Sequence, residues 1–353
     1  MKILAIDVGT GTEDIMFYNN EKEIENSIKL VLPSPHLTIV QKMEKIENNI
    51  YFNGVIMGGG KIKNQAVKHI KNGYKVAAEK LAAKTIRDNL EQVSSYGIEI
   101  VEDENNPKYK NYSKITLQDV NLKQLSNVIS KYDLNFKFDA LAIAVQDHGY
   151  NKNMGDRDFR FEKIREKLNQ PIKPEEYGFL SDEIPEYYSR MQSVKQSVTP
   201  SIKNENKPLL IMDTKFASIC GMCYDKSVKN LNSFIVMDIG NGHTTVASIE
   251  NGKIQGVYEH HTSQLNGKKI DKLNKKLADG TITFEEVHDD DGHGAHVINP
   301  ISKIEKVIVS GPKRKLIEDT KLDYHYASPG GDVMMTGTIG LIKTIEYKLN
   351  QEK

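Results

Sequence analysis

Two aspartates, Asp7 and Asp238, each sit near the end of a short apolar run and just ahead of a Gly-x-Gly turn. The first stretch reads Ile3-Leu-Ala-Ile-Asp7-Val-Gly9-Thr10-Gly11-Thr12; the second reads Phe234-Ile-Val-Met-Asp238-Ile-Gly240-Asn241-Gly242-His243-Thr244-Thr. A short apolar run before a glycine pair predicts a buried strand entering a tight hairpin. Glycines there let backbone N–H groups approach an anion closely, because no Cβ intervenes. A carboxylate at the strand end suits Mg²⁺, which keeps most of its waters and takes one or two carboxylates plus phosphate oxygens. One hairpin in each half therefore predicts two similar lobes gripping a nucleotide. Asp7 and Asp238 would orient the metal, while Thr10, Gly11, Thr12, Asn241, Gly242, His243 and Thr244 donate to phosphate oxygens. Read singly, Asp-x-Gly is an ordinary turn; the matching flanks of two copies favour phosphate chemistry.

Five further sets could do chemistry. Gly58-Gly59-Gly60-Lys61 follows a predicted strand, but Ile62 stands where a Walker A loop needs the hydroxyl that binds Mg²⁺. It reads as a substrate-phosphate contact or as loop flexibility. Gln146-Asp147-His148-Gly149 follows the apolar strand Phe138–Val145, where catalytic groups of α/β proteins emerge. Asp147 could act as general base with His148 assisting, or simply cap a turn. Just beyond, Arg157 and Arg160 offer guanidiniums for an anionic substrate, or belong to a surface ion-pair cluster. His288, His293 and His296, interleaved with Asp289, Asp290 and Asp291, form a possible transition-metal site, or an exposed acidic loop with chance histidines. Cys220 and Cys223, the only two cysteines, have redox spacing but read as a packed helix face.

The elements that must position these residues alternate between strand and helix, which implies an α/β architecture. Lys22–Leu32 reads as a strand, as does Asn49–Met57. Val76–Val93 reads as one helix, with Ala77, Ala78, Leu81, Ala82, Ile86, Leu90 and Val93 at three-four spacing. Thr116–Ser130 and Leu265–Leu277 are further predicted helices, and Ile304–Val309 a buried strand. The polar stretch 151–201 reads as a surface insertion. Asn204–Pro208 reads as a linker, so residues 1–205 are expected to form an N-terminal lobe and 206–353 a C-terminal lobe.

The pattern resembles the superfamily of actin, the 70-kDa heat-shock chaperones, sugar kinases and acetate kinase. Ahead of the second turn, Phe216-Ala-Ser-Ile-Cys-Gly-Met-Cys-Tyr224 is similar to that superfamily's first connecting helix between the lobes. Val307-Ile-Val-Ser-Gly311-Pro is similar to its adenosine-contacting strand and turn, although Pro312 replaces a second glycine. Gly330-Gly331-Asp-Val-Met-Met-Thr-Gly337-Thr-Ile-Gly340 is similar to its closing helix. The resemblance implies a two-lobe actin-like ATPase fold with a ribonuclease H-like duplicated core. It also implies ATP and Mg²⁺ as cofactors, with Gly311, Gly330 and Gly331 on the nucleoside side. Nearly end to end, the chain also resembles a chiefly archaeal family often labelled as related to pyruvate formate-lyase activating enzyme. Its recognisable segments include Met57–Gly60, His69, Gly73-Tyr74, Ala82–Thr85, Ala144–Gly149 and Asp156-Arg157. That label implies an iron–sulfur cluster on three cysteines of one loop, and two cysteines cannot supply it.

At 353 residues, 38% hydrophobic and 27% charged, the chain is long enough for two domains. Its 48 basic and 48 acidic residues leave no net field toward nucleic acid or anionic membrane. No apolar stretch is long enough to cross a bilayer, and the short acidic start is unlike a secretory signal; a cytoplasmic location is expected. The expected function is Mg²⁺-dependent phosphotransfer or ATP hydrolysis on a small-molecule acceptor. The alternatives are a nucleotide-responsive binding module and a metal-dependent hydrolase on the 288–296 loop. Homodimerisation is left open.

Overall fold

Three sheets organise the computed structural model, which describes residues 1–132 and 136–351. In the first sheet the order is Ile28–Pro33, Thr12–Asn19, Lys2–Val8, Ala140–Val145, Leu209–Met212, Phe179–Leu180. In the second it is Gly294–Val297, Lys253–His261, His243–Glu250, Ser233–Ile239, Val307–Ser310, Tyr324–Tyr326. Both contain the same core: an antiparallel three-strand meander whose first strand pairs in parallel with a later strand, and that with another. Asp7 and Asp238 hold equivalent places, opposite Ala144 and Ser310 respectively on the parallel neighbour. This duplicated core is the two-lobe actin-like fold. The turn Gln146–Gly149 in one half therefore corresponds to the turn beginning at Gly311 in the other.

Strands of the first core are apolar at nearly every position because helices cover both faces. Ile3, Leu4, Ala5 and Ile6 are fully buried. Between the cores lie the antiparallel-packed helices Thr214–Met222 and Thr336–Gln351, and residues from both sheets share one apolar cluster with them. Their approach depends on missing side chains. A Cβ on Gly221 would sit 1.9 Å from the Thr336 carbonyl oxygen, and one on Gly340 would sit 1.9 Å from that of Ala217.

The third sheet, Ile98–Val101, Val76–Glu79, Ile50–Gly54, Ser113–Leu117, is wholly parallel and has its own core. It corrects one expected helix. Val76–Val93 is a strand, Val76–Glu79, followed by the short helices Lys80–Ala83 and Leu90–Ser95. Small alanines fit either state, and pairing on both sides with buried neighbours decides for the strand. Thr116–Ser130 likewise divides into the end of a strand and the helix Leu122–Ser130. The supposed insertion 151–201 is integral: the helix Asp156–Lys167 buries Phe159, Phe161 and Ile164, and Ser189–Ile202 buries Met191, Val194 and Val198. Its polarity reflects helices with one solvated face. Leu209–Met212, on the far side of the expected linker, pairs with Leu141–Ala144 in the first sheet. By sheet membership the change of lobe thus comes after Met212, at the helix Thr214–Met222.

Candidate functional site

The two glycine turns are built alike. Gly9 N–H donates to the Thr12 carbonyl at 2.9 Å, and Gly240 N–H to that of His243 at 3.1 Å. The chain after each meander braces the turn from behind: Ser34 N–H donates to Gly11 O, and Thr262 N–H to Gly242 O. The turns then meet. A Cβ on Gly11 would lie 3.3 Å from Asn241 Nδ2, so the tips touch across the interval between the sheets. Both line a single cavity of about 500 Å³ together with Asp7, Asp14, Asp147, Thr214, Lys215, Asp238 and Gly311.

The first turn of the helix Thr214–Met222, capped by Asp213, ties the two aspartates together. Thr214 Oγ1 donates to Asp7 Oδ1 at 2.6 Å, and Lys215 Nζ to Asp238 Oδ2 at 2.7 Å. Lys215 Nζ also donates to the His243 carbonyl at 2.9 Å, which places its charge beneath the second glycine turn. Burial pushes the Asp7 carboxyl up to about 8, against the opposing Thr214 hydrogen bond. Its neighbour across the hairpin, Asp14, is raised by burial to about 6. Asp14 Oδ1 is buried with no hydrogen-bond partner among the described residues. A Cβ on Gly337, at the start of the closing helix, would be 1.9 Å from Asp7 Oδ2, so only glycine fits there.

On the other side of the cavity, Asp147 accepts N–H bonds from Gly149, Arg190 and Met191. Three of roughly four lone-pair sites on its carboxylate are thereby used by backbone, and burial raises it to about 6. It anchors the turn and the start of the helix Ser189–Ile202, and one acceptor position remains. Arg190 is fixed on Asp119 through Nε at 2.7 Å and Nη2 at 2.8 Å. The glycine run lies against it: a Cβ on Gly58 would be 2.6 Å from Arg190 Nη2, and one on Gly60 would be 2.2 Å from the His36 ring. With Lys84, Asp88, His148 and Asp156, these residues make a polar end of the cavity with charges of both signs.

Several expected site residues stand elsewhere. Thr244 is fully buried and its hydroxyl is 3.0 Å from Thr262 Oγ1, so it braces the turn and does not line the cavity. Gly330 and Gly331 do not line it either. Gly330 borders a smaller cleft beside Tyr18 and Ile24, and Val333, Met334, Thr336 and Gly337 take its expected place. The grouping His288, His293, His296 does not exist. His288 Nε2 pairs with Asp158 Oδ1 at 2.8 Å, and His296 Nε2–H donates to the Leu168 carbonyl at 3.0 Å. His293 turns instead toward His243 and His261.

Arg160 is no free anion receptor. It is buried between Asp213 at 2.7 Å and Glu259 at 2.9 Å, with Nη1 also on the Asp147 carbonyl at 3.0 Å. Both cysteines are packed, and burial pushes both thiols well above the usual range, so neither offers a thiolate to iron. Sequence reading missed Thr214, Lys215, Asp14 and Glu259. A lysine in the first turn of an otherwise small and apolar helix was one available signal. A second was Asp14, placed within an apolar strand.

Residues 57–316 match the family described as "Putative pyruvate format-lyase activating enzyme (DUF1786)". No curated protein matches the chain by sequence. Among solved structures, the chain is similar to an inorganic polyphosphate/ATP-glucomannokinase from Arthrobacter sp. strain KM, with 10% identity, 99% of each chain covered and a TM-score of 0.38. It is also similar to the AlfA filament protein of a Bacillus subtilis plasmid, with 9% identity, 97% and 98% covered and a TM-score of 0.36. For the ethanolamine utilization protein EutJ from Carboxydothermus hydrogenoformans the values are 10% identity, 97% and 89% covered, and 0.31.

Proposed function

The chain belongs to the DUF1786 family, and from the meeting of its two glycine turns over one cavity we propose that it binds ATP with Mg²⁺ and transfers or hydrolyses the terminal phosphoryl group. The residues fit such a ligand. Asp7 and Asp14 both line the cavity as carboxyls raised by burial, and Asp14 Oδ1 has no hydrogen-bond partner among the described residues. Space beside Gly242 is open: a Cβ there would meet nothing within 4 Å. Mg²⁺, when bound, would neutralise phosphate charge.

Asp7 and Asp238 would hold that ion, largely through its waters, with Asp14 alongside. Backbone N–H groups of Gly11, Thr12, Asn241 and Gly242 would receive the phosphates, and Lys215 would place a fixed positive charge under them. Gly311 and the segment 333–337 would face the nucleoside. Such groups act by positioning and by preorganised charge, and they need little rearrangement in the transition state. Asp147, with one lone-pair site left, would accept the proton of an acceptor hydroxyl or water at the polar end. The mixed charges there (Lys84, Asp88, Asp156) suit a small polar acceptor.

The observation that carries the reading is the contact of Gly11 with Asn241 over a shared cavity. Calorimetric titration with ATP, with and without Mg²⁺, tests it on the wild type and on Asp238→Ala. Wild type should bind only with Mg²⁺, and the variant at least tenfold more weakly, a loss of about 1.4 kcal/mol. No Mg²⁺-dependent binding of any nucleoside triphosphate would overturn the reading. Binding without turnover on any acceptor pool would reduce it to a nucleotide-responsive module.

A further inference from the structure

Four histidine rings gather where strands of the second sheet end, beside the second glycine turn. His243 begins its strand and His261 ends the neighbouring one, and the two are direct antiparallel partners. Their ring centroids are 4.7 Å apart. His293 precedes the next strand, in which Gly294 pairs with Glu259. Regular alternation would turn the His293 side chain to the opposite face from Glu259 and His261. Gly294 has φ +140°, open to glycine, and there the alternation breaks. His293 consequently sits 4.7 Å from His243 and 5.3 Å from His261, ring to ring. His148 closes the group from the first lobe, with its ring 5.9 Å from that of His293.

We propose that His243, His261 and His293 bind a divalent transition metal ion, zinc by the character of the ligand set, with the remaining coordination position open toward His148 and the cleft. One ligand nitrogen from each of the three lies within 4.8 Å of the other two. Zn–N bonds of about 2.1 Å in a tetrahedral site need nitrogens roughly 3.4 Å apart, so modest inward rotation of the rings completes it. Imidazole favours zinc and its neighbours in the series over Mg²⁺, which takes hard oxygen ligands, so this site and the carboxylate site would select different ions.

The surroundings are those of a ligand set held from behind. His293 is 2% exposed, and its Nδ1 lies 2.6 Å from Glu259 Oε1. No partner other than this carboxylate faces Nδ1 among the described residues. Glu259 is itself fixed by Arg160 and by the Thr245 hydroxyl. A carboxylate on one ring nitrogen, which leaves the other nitrogen to a metal, is the usual support of a histidine ligand. His148 and His243 both line the cleft, so an ion there would meet whatever occupies its polar end.

The experiment is a Co²⁺ titration of untagged, chelator-stripped protein with no nucleotide present, followed by visible absorption and native mass spectrometry. One equivalent should bind with the strong d–d bands of a four-coordinate ion, and Zn²⁺ should displace it. His261→Gln and His243→Gln should each lose this uptake at least tenfold, while the stripped variants keep the wild-type circular dichroism. His296→Gln, which alters only a hydrogen bond to Leu168, should retain it. The proposal fails if no stoichiometric Co²⁺ binds, if neither His243 nor His261 matters, or if His296→Gln abolishes uptake equally. Since the assay contains no nucleotide, its outcome is independent of the proposed ATP site.

Discussion

Asp7 is the residue whose protonation would couple most directly to the proposed cation. Burial holds its carboxyl at about 8 in the folded chain, against 3.8 for the free group. Between about pH 4 and pH 8 the folded state therefore keeps a proton that the unfolded state has lost. This group's contribution to stability falls as pH rises through that window and is lost above it. A cation bound beside Asp7 must displace that proton. Affinity for Mg²⁺–ATP should thus increase from about pH 6 to pH 8, with proton release visible as binding heats that depend on buffer ionisation. A pH-independent affinity without proton release would place the cation away from Asp7. Arg160 makes a second prediction at this scale. Its guanidinium neutralises Asp213 and Glu259 in an interior where all three are nearly unexposed. Arg160→Met leaves two buried carboxylates without a cation and should cost about 3–5 kcal/mol in denaturant unfolding. A loss below about 1 kcal/mol would mean that water reaches the cluster.

Among the elements, the two helices between the lobes depend on glycines at their crossing. Gly340→Ala puts a methyl 1.9 Å from the Ala217 carbonyl, which packed backbone cannot yield without moving. A destabilisation of about 1–3 kcal/mol is expected, measured as a shift in the urea midpoint. Gly242→Ala provides the contrast, because no atom of the chain lies within 4 Å of the added methyl. Its stability should stay within about 0.5 kcal/mol of wild type, yet nucleotide affinity should fall if the proposed phosphate occupies that space. Equal effects on both properties would show that the turn is held for folding alone. The third sheet is the other element-scale device. Met57 N–H donates to Thr85 Oγ1 at 3.1 Å and Gly58 N–H to Asp119 Oδ1 at 3.1 Å. These bonds hold the glycine run at the polar end of the cavity. Of the segments that carry the second family resemblance, Gly58–Gly60, Lys84, Gln146–Gly149 and Asp156 line this end of the cavity, whereas His69 and Gly73-Tyr74 lie away from it.

For the whole molecule, the two lobes share one apolar helix layer. We propose that the lobes exchange at Asp213 and the helix that follows it, and that ligand draws them together. Small-angle scattering should then show a smaller radius of gyration with Mg²⁺ and a non-hydrolysable ATP analogue than without. At ligand near 100 times the dissociation constant, mass action adds about 2.7 kcal/mol to stability, readable as a raised Tm. An unchanged radius of gyration would leave binding intact and remove the hinge.

Much of this was legible in the residue order. The paired Asp-x-Gly-x-Gly turns, the small-residue helix before the second of them and the glycine-bearing closing helix are local signals, set by what glycine permits and what apolar runs require. They were enough to give the duplicated fold and the two glycine turns that line the cavity. Contacts between distant segments had no such signature. Lys215 reaches Asp238, Thr214 reaches Asp7 and Arg160 reaches Glu259 across 23, 207 and 99 positions, and no spacing rule connects them. The histidines show the same division. Proximity in sequence grouped His288 with His293 and His296, whereas strand register and one left-handed glycine placed His293 beside His243 and His261. Backbone geometry is written locally, but which side chains share a space is decided only when the sheets close on one another.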